Sequence, residues 1–381
     1  MDNSSIDEVK AEVGIPAFIH QAPLEVAEKS DADLAGERRR QAINEYLESN
    51  VPEFAKLQAL RKKGWDNPAG DAFFENQRNA ADNADDRVCQ FFFEVMKKVA
   101  GEIHAATGAF DISRAGIGKG RILDMCMAPG GFLDVALDMN WKSHAIGFSL
   151  PHEDGGHKLL LRPTSYLDQR WVDITMLAAD MGKTVIPSDH PEFSKFHTER
   201  QLTDENTFNL AFCDGQVLRT HNRADYRDKS MSEARRLDCA QLALSLEHLR
   251  PGGTMIMLLH KPEAWRTILQ LRLFSKFSNI FAKKPRSSHK KRSSFYLVAT
   301  NVQSKHPAAI KAIASWKKTW NDLTFGVEDN VANDSLGEEE PSVEEVLDDF
   351  GEQLVRLGRS VWHIQGQALE KAPFIQGKES A

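Results

Sequence analysis

The stretch that decides the fold is RILDMCMAPGGFLDVALDMN, residues Arg121–Asn140. A short apolar run ends on Asp124, and a turn containing Pro129, Gly130 and Gly131 leads directly into a segment that predicts a helix. Proline pre-sets the backbone of a turn, and glycine lets the backbone approach another group closely. A strand that passes through such a turn into a helix is typical of the ligand-binding edge of an open α/β sheet.

From residue 116 onward, strand-like and helix-like segments alternate. This alternation predicts crossover connections and a doubly wound, mostly parallel Rossmann-like α/β sheet with helices on both faces. The flanking sequence predicts helices, which gives a helical region 1–110, an α/β domain 111–305 and a helical region 306–381 with an acidic linker. The predicted strands are Arg121–Met125, His144–Phe148, Trp171–Met176, Phe208–Cys213, Thr254–Leu259 and Ser294–Thr300.

Three helical segments outside that opening stretch have clear boundaries or periodicity. Residues 36–65 predict two helices, separated at Pro52 and ended by Gly64. Residues 87–110 predict one longer helix with an apolar side. Residues 229–249 repeat apolar side chains at steps of three and four before a Pro-Gly-Gly turn, and therefore predict a helix between the fourth and fifth strands.

The composition is that of an ordinary globular protein, with 41% hydrophobic residues, 27% charged residues and a net charge of −7. Its four cysteines form no Cys-x-x-Cys pair, so no zinc knuckle and no disulfide framework are predicted. No apolar run approaches the roughly 20 residues of a membrane helix. The polar, acidic start of the chain does not resemble a signal peptide. We therefore expect a cytoplasmic or nuclear protein.

Three classes of ligand are candidates for the turn after Asp124. A dinucleotide favours Gly-x-Gly-x-x-Gly at this place, and a nucleoside triphosphate favours Gly-Lys-Ser/Thr at the start of the helix. The chain has neither pattern here. S-adenosylmethionine needs no phosphate site: its carboxylate suits a helix N-terminus, and its amino group suits an acid such as Asp124. The turn therefore predicts S-adenosylmethionine as the cofactor, and no metal.

Four segments resemble one known family in the same order. The segment LDMCMAPGGFLDVAL (123–137) resembles the cofactor motif of the FtsJ-like ribose 2′-O-methyltransferases. The segments FNLAFCDGQ (208–216), LRPGGTMIMLLHK (249–261) and FAKKPRSSHKKRSSFYLVAT (281–300) resemble its later strands. The resemblance covers about half of the chain and implies a methyltransferase that uses S-adenosylmethionine and acts on an RNA ribose 2′-hydroxyl.

The family carries out this reaction with a Lys–Asp–Lys–Glu set. The resemblance assigns Asp214 to the aspartate and Lys261 to the second lysine. Ser294 stands where the family has its glutamate. A hydroxyl needs a base or precise orientation to attack a methyl group, and a lysine serves as a base when its pKa is lowered.

The first lysine of the family set has no clear counterpart. Its aligned position is Phe93 or Glu94, and Lys97 and Lys98 follow one turn later as substitutes. Because only two of the four catalytic positions match, two alternatives stay open. One is methyl transfer to a small molecule or a protein, and the other is a pseudoenzyme that binds the cofactor without catalysis.

The resemblance also implies cofactor contacts around the strand ends. These are Asp124, Ala128, Pro129, Gly130, Gly131, Phe132, Ser149 and Asp173.

The substrate is expected near two polar segments. Arg219, His221 and Arg223 lie in the loop after the fourth strand. A dense basic segment, 283–292, includes Lys290, Lys291 and Arg292 and suits the phosphates of an RNA. A solvated loop is the alternative for both segments.

Overall fold

The structure is a computed structural model that describes residues 31–82, 85–112, 120–221, 223, 232–326 and 340–377. Its helices are α1 (Asp31–Asn50), α2 (Pro52–Trp65), α3 (Pro68–Asp82), α4 (Asp86–Thr107), α5 (Gly131–Met139), α6 (Ser232–Glu247), α7 (Trp265–Ser275), α8 (Pro307–Phe325), α9 (Val343–Glu370) and α10 (Pro373–Gln376). Its strands are β1 (Arg121–Asp124), β2 (His144–Ser149), β3 (Leu167–Trp171), β4 (Phe208–Cys213), β5 (Leu249–His260), β6 (Asn279–Lys283) and β7 (Ser294–Val302).

These strands form one sheet in the order β3-β2-β1-β4-β5-β7-β6. Strands β1 to β5 run parallel to their neighbours, whereas β7 is antiparallel to both β5 and β6. The order reverses beside β1, which lies between β2 and β4. Ligands of open α/β sheets bind at such a switch point, beyond the carboxyl ends of the strands. The predicted doubly wound, mostly parallel α/β fold is confirmed.

Both faces of the sheet are buried under helices. Alternate residues of β4 illustrate this: Leu210 and Phe212 pack with α4 and α5, while Ala211 and Cys213 pack in the core that contains α6, α7 and α8. Side chains of a strand point to opposite faces in turn, so a strand buried on both sides is apolar throughout. The edge with the switch point therefore belongs to a sheet that is covered by helices on both faces.

Two strand predictions need correction. The third strand is Leu167–Trp171 rather than 171–176, because Asp173 accepts hydrogen bonds from the backbone N and hydroxyl of Thr175 (2.9 and 2.8 Å) and begins a 3₁₀ turn. Strand β6 was not predicted, since it is a partly exposed edge strand with little apolar alternation.

The predicted break at Pro52 is confirmed, but α2 runs through Gly64 to Trp65. A Cβ atom at position 64 would lie 3.4 Å from Ile375 and Phe374, so this glycine contacts the C-terminal residues instead of ending the helix.

Helices from the two ends of the chain pack together. The ring of Phe54 in α2 meets that of Trp362 in α9 edge-on at 5.1 Å. Lys56 pairs with Glu370 at 2.9 Å. Helix α9 begins with a capping box formed by Ser342 and Glu345, so part of the predicted acidic linker is the first turn of a helix. No helix in the described ranges is both long enough and apolar enough to cross a membrane.

Candidate functional site

The carboxyl ends of β1, β2 and β4 line a cleft at the switch point, which we call the first cleft. Ala128 and Pro129 line it after β1, Ser149 at the end of β2, and Asp214 after β4. Asp173 lines it from the segment after β3. Four of the eight residues predicted to contact the cofactor, and the predicted catalytic Asp214, therefore line one cleft.

Two buried carboxylates lie at this edge. Asp124 is 2% exposed and Asp214 is 6% exposed. One oxygen of Asp124 accepts a hydrogen bond from the backbone N of Cys126 at 3.1 Å. Oδ2 of Asp214 has no hydrogen-bond partner among the described residues. Burial raises the pKa of Asp214 to about 7, and burial together with the charge of Asp214 raises that of Asp124. A cationic ligand would stabilise the ionised form of both groups.

The two glycines of the turn are required by packing, and their contact with a ligand stays a prediction. A Cβ atom at Gly131 would lie 2.5 Å from both the Cβ of Met96 and the carbonyl oxygen of Phe93 in α4. Gly130 has a φ of +108°, and a Cβ there would lie 2.7 Å from Leu161. The sequence predicted close approach to a ligand, but the neighbour that requires Gly131 is helix α4.

Phe132, another predicted cofactor contact, has a buried side chain. Its ring is buried in the core and packs against Phe110, Phe212 and Tyr296 at centroid distances of 6.1, 5.6 and 5.4 Å.

We expect Gly131→Ala to destabilise the fold, since overpacking against the backbone of α4 costs about 1–3 kcal/mol. Gly101→Ala, also in α4, is the matched control because nothing lies within 4 Å of its Cβ position. The control should be neutral or stabilising by roughly 0.5–1 kcal/mol. Urea denaturation measures both. An unchanged free energy of unfolding for Gly131→Ala, with S-adenosylmethionine binding lost, would contradict the packing explanation.

His221, a predicted substrate contact, lines the first cleft. Its Nε2 is 3.6 Å from Oδ2 of Asp173. Together with Glu233 these residues place three potential metal-ligand atoms within 4.8 Å of one another. Glu233 forms an ion pair with the fully buried Arg236 at 2.9 Å, and Asp173 holds the Thr175 turn, so both carboxylates have protein partners.

A second cleft adjoins the first and shares Gln216 with it. It lies beyond the end of β5 and is enclosed by residues of α2, α3, α6, α7, α9 and α10. Its lining is rich in cations and contains only two acids, Asp71 and Asp238. The cationic side chains are Arg61, Arg78, Arg235, Lys261, Arg266, Lys291 and Arg292.

Lys261 lines the second cleft directly after β5. Its backbone has a φ of +47°, and its N–H donates to the carbonyl oxygen of Ser293 at 3.0 Å, which fixes the position of the residue. Partial burial lowers the pKa of the Lys261 ammonium, while the charge of Glu263 opposes that effect. A lysine in this environment holds its neutral form more readily than a surface lysine.

Lys261 and Asp214 are not paired directly. In the part of the chain that the structure describes, neither a hydrogen bond nor an ion pair joins them. Instead Gln216 and His260 lie between the two clefts, with 3.2 Å between Oε1 of Gln216 and Nε2 of His260. Burial and the nearby cations lower the pKa of His260 to about 4, so it is neutral at physiological pH.

Ser294, at the position of the family glutamate, is part of a buried hydrogen-bond network that contains no carboxylate. It lies opposite His260 in the β5–β7 ladder. Its hydroxyl is 3.0 Å from Nδ1 of His289, and its carbonyl oxygen accepts from the buried ammonium of Lys284 at 2.5 Å. Burial lowers the pKa of both His289 and Lys284 well below their usual ranges. No negative charge takes the place of the glutamate at this position.

Lys97, a candidate for the first family lysine, has a protein partner in this structure. Its ammonium forms an ion pair with Asp134 of α5 at 2.7 Å and lies over the ring of Phe93. Lys98 is exposed on α4.

The loop after β4 is attached to α3. Arg219 contacts Glu75 at 3.6 Å and donates to Asn79 at 3.1 Å. Arg223 donates to the carbonyl oxygen of Leu218 in its own loop at 2.9 Å. These arginines hold the loop in position, and their contact with substrate stays a prediction.

Much of the basic segment is turned inward. Lys284, His289 and Arg292 are only 6%, 7% and 8% exposed. Lys291 is half-buried, and its ammonium lies 4.6 Å from the ring centroid of Phe73 at the second cleft. The alternative of a fully solvated loop is therefore wrong, and Lys291 and Arg292 line the second cleft. Their contact with RNA phosphates stays a prediction.

The family is established by the sequence of the central domain. The model of the family FtsJ, FtsJ-like methyltransferase, matches residues 102–302, which is just over half of the chain. The chain belongs to the FtsJ-like methyltransferase family. Members transfer a methyl group, and the family implies S-adenosylmethionine as the donor.

Solved structures similar to this FtsJ-like methyltransferase include three methyltransferases of low identity. A putative ribosomal RNA methyltransferase from Plasmodium falciparum has 15% identity and a TM-score of 0.33, and covers 53% of this chain and 93% of that one. An O-methyltransferase family protein from Burkholderia thailandensis has 9% identity and a TM-score of 0.30, with 59% and 63% covered. The N-methyltransferase NodS from Bradyrhizobium japonicum has 11% identity and a TM-score of 0.31, with 53% and 96% covered. Curated proteins gave no match.

Sequence reasoning missed four residues of this FtsJ-like site. Gln216 and His260 directly adjoin residues that the family motifs identify, and that adjacency was an available signal. Arg61 and Glu263 form a buried ion pair across 202 residues of sequence, and no local pattern indicates it.

Proposed function

We propose that this protein transfers the methyl group of S-adenosylmethionine to the ribose 2′-hydroxyl of an RNA. One observation carries the proposal: a cleft lined by the buried Asp214, with the buried Asp124 near that carboxylate, shares Gln216 with a cationic cleft that contains Lys261. The first arrangement suits a cationic cofactor, and the second suits a polyanionic acceptor.

The residues of the first cleft fit S-adenosylmethionine. Asp124 and Asp214 would hold its cationic amino-acid end, for which the unpartnered oxygen of Asp214 supplies an acceptor. Ser149 and Asp173 would hold its ribose and adenine with their polar atoms. When bound, the cofactor supplies an electrophilic methyl group.

Lys261 would prepare the acceptor. Its neutral amine would accept the proton of the ribose hydroxyl as that oxygen takes the methyl group and the bond from the methyl carbon to the sulfonium sulfur breaks, so that the proton would end on Nζ of Lys261 and the sulfur would become a neutral thioether. The lowered pKa of Lys261 supports this role, because a base must be available in its neutral form. Gln216 and His260, both neutral, link this lysine to the cofactor side without adding charge.

The cations of the second cleft would bind RNA phosphates. Arg78 and Lys291 lie on its α3 side, and Arg266 lies at the beginning of α7. We propose that residues 111–305 carry the chemistry and that helices of the regions 1–110 and 306–381 complete the acceptor cleft. Both terminal regions contribute lining residues.

One observation favours a pseudoenzyme as the second candidate. Ser294 carries no charge, and Lys97 is paired with Asp134, so two positions of the family set lack their usual groups. Such a protein would bind cofactor and RNA and show no turnover.

A labelling experiment tests the proposal. We expect tritium from methyl-labelled S-adenosylmethionine to enter total RNA, rather than the protein or metabolite fractions. The Arg78→Glu/Lys291→Glu variant should bind RNA more weakly, with a salt slope reduced by about 0.7 for each lost single-strand phosphate contact. The control, Lys276→Glu/Lys305→Glu, makes the same charge change on exposed residues near the opposite edge of the sheet. Label in protein or metabolites would contradict the proposal, and tight binding without turnover would favour the pseudoenzyme.

A further inference from the structure

We infer that the Arg61–Glu263 ion pair positions Lys261 and supplies the negative charge that the FtsJ-like family places at the position of Ser294. The inference rests on the proposed function, since it assigns a role beside the proposed base. Under this inference Arg61, which lies in the N-terminal helix α2, helps to prepare the acceptor.

The geometry of Glu263 is fully specified by its neighbours. Nη1 of Arg61 donates to Oε1 of Glu263 at 2.6 Å, and the indole N–H of Trp362 donates to Oε2 at 2.9 Å. Both side chains of the ion pair are only 8% exposed. Nη2 of Arg61 donates to Gln365 at 2.9 Å. The carboxylate therefore has a charged donor on one oxygen and a neutral donor on the other.

This ion pair lies beside the proposed base. Glu263 follows Lys261 by two residues, in the loop between β5 and α7. The backbone N of Ala264 donates to the carbonyl oxygen of Lys261 at 2.8 Å, so the loop closes as a tight turn. A change in the position of Glu263 would therefore move the backbone that orients Lys261.

The hydrogen bonds of Arg61 extend, through Gln365, to the segment that precedes Ser294, where the family has its glutamate. Gln365, which accepts from Arg61, donates to the carbonyl oxygen of Lys291 at 3.1 Å. Lys284 is buried nearby and bonded to backbone carbonyls, and the negative charge of Glu263 raises its pKa against the strong effect of burial. Glu263 thus acts electrostatically on two lysines of this cluster, as a carboxylate at position 294 would.

Packing alone is a poor explanation for this pair. Removing two charges from water costs several kcal/mol per ion, and apolar replacements of similar volume are often equally stable. A buried ion pair beside a lysine does something that apolar side chains cannot do: each charge changes the protonation of that lysine. Glu263 raises the pKa of Lys261, and Arg61 lowers it.

Other charged groups also surround Lys261 and are not substituted in the test. They are Arg40 of α1, Arg235 and Asp238 of α6, His260 of β5, Arg266 of α7, and Lys284, Lys291 and Arg292 of the segment between β6 and β7.

The test measures the pKa of Lys261 without requiring turnover. The rate at which acetic anhydride acetylates Lys261, followed by mass spectrometry across pH, reports the fraction of neutral amine. Glu263→Gln should move the midpoint to lower pH by about half to one pH unit, because a negative charge is lost. Arg61→Gln should move it to higher pH, because a positive charge is lost and Glu263 keeps its charge.

Opposite shifts distinguish this role from a structural one, since loss of packing does not change sign between the two partners. Trp362→Phe keeps both charges and should leave the midpoint unchanged. Glu247→Gln is the matched control: Glu247 pairs with Lys317 at 2.6 Å near the start of β5, at the other end of the strand from Lys261. If either folded single variant leaves the midpoint unchanged, the inference is overturned.

The acetylation result is independent of the proposed function. Opposite shifts in a protein that methylates no RNA would reject the proposed function and keep the charge coupling. Unchanged midpoints in a protein that methylates RNA would reject the inference alone. In an active enzyme, the midpoint of the acid limb of the single-turnover pH profile should move in the same direction as the acetylation midpoint.

Discussion

Lys261→Met is expected to lower the rate of methyl transfer by about 10²–10⁴-fold, the usual contribution of a positioned acid or base. Lys261 lines the second cleft, so its loss should leave S-adenosylmethionine affinity in the first cleft nearly unchanged. Methionine keeps the length and most of the volume of lysine, so packing beside Ala264 should persist. The effect is therefore assigned to the amine.

Single-turnover methylation and calorimetric binding of the cofactor measure the two quantities separately. Lys97→Met is the control, because Lys97 pairs with Asp134 on α5 and should not contribute to the reaction. A normal rate in Lys261→Met would show that this amine is idle. A large loss in Lys97→Met would instead identify Lys97 as the missing first lysine of the family.

Asp214→Asn should stabilise the protein without cofactor and weaken cofactor binding. The pKa of Asp214 is raised to about 7 in the folded state, so the unfolded chain loses this proton at lower pH than the folded one. Stability from this group is therefore lost as pH rises from about 4 to about 7. At pH 8 the asparagine variant does not undergo that loss, so its free energy of unfolding should exceed that of the wild type by roughly 2–4 kcal/mol.

The same substitution removes the charge that attracts a cation. Loss of a hydrogen bond to a charged group should weaken S-adenosylmethionine binding by about 10–100-fold. In the wild type, affinity should rise by up to about tenfold per pH unit toward pH 7, as the Asp124–Asp214 pair loses its proton. In Asp214→Asn this dependence should largely vanish.

Thermal unfolding and calorimetry across pH test both effects. Asp180→Asn provides a contrast, because Asp180 is equally buried but accepts hydrogen bonds from the backbone N of Gln201 and Leu202. That variant should be destabilised. If Asp214→Asn is also destabilised at pH 8, the carboxylate is a structural group and not one kept for a ligand.

The fold was largely predictable because its signals are local. The turn 128–131 and Gly215 after β4 mark element boundaries directly, whereas the predicted Pro-Gly-Gly turn at 251–253 lies within β5. The misplaced third strand shows the limit of such reasoning. WVDITM is apolar enough to suggest a strand, but the side chain of Asp173 bonds to Thr175 and bends the chain there.

Residues of the site were predictable only where they directly follow a strand. Asp214 and Lys261 each follow a buried strand, so their place at one edge of the sheet follows from the topology. The burial of Lys284 was not predictable, because a run of charges does not indicate which of them face inward. The ion pair of Arg61 and Glu263 required the fold itself, since it joins the two sides of the second cleft.

Nucleoside analysis of the methylated product tests the acceptor atom most directly. RNA labelled by the wild-type enzyme is digested to nucleosides and separated by mass spectrometry. We expect the methyl group on the ribose of a 2′-O-methylnucleoside, with the adjacent phosphodiester resistant to alkali. Methyl groups found on the bases, with every phosphodiester cleaved by alkali, would contradict the assignment of the ribose hydroxyl as the acceptor.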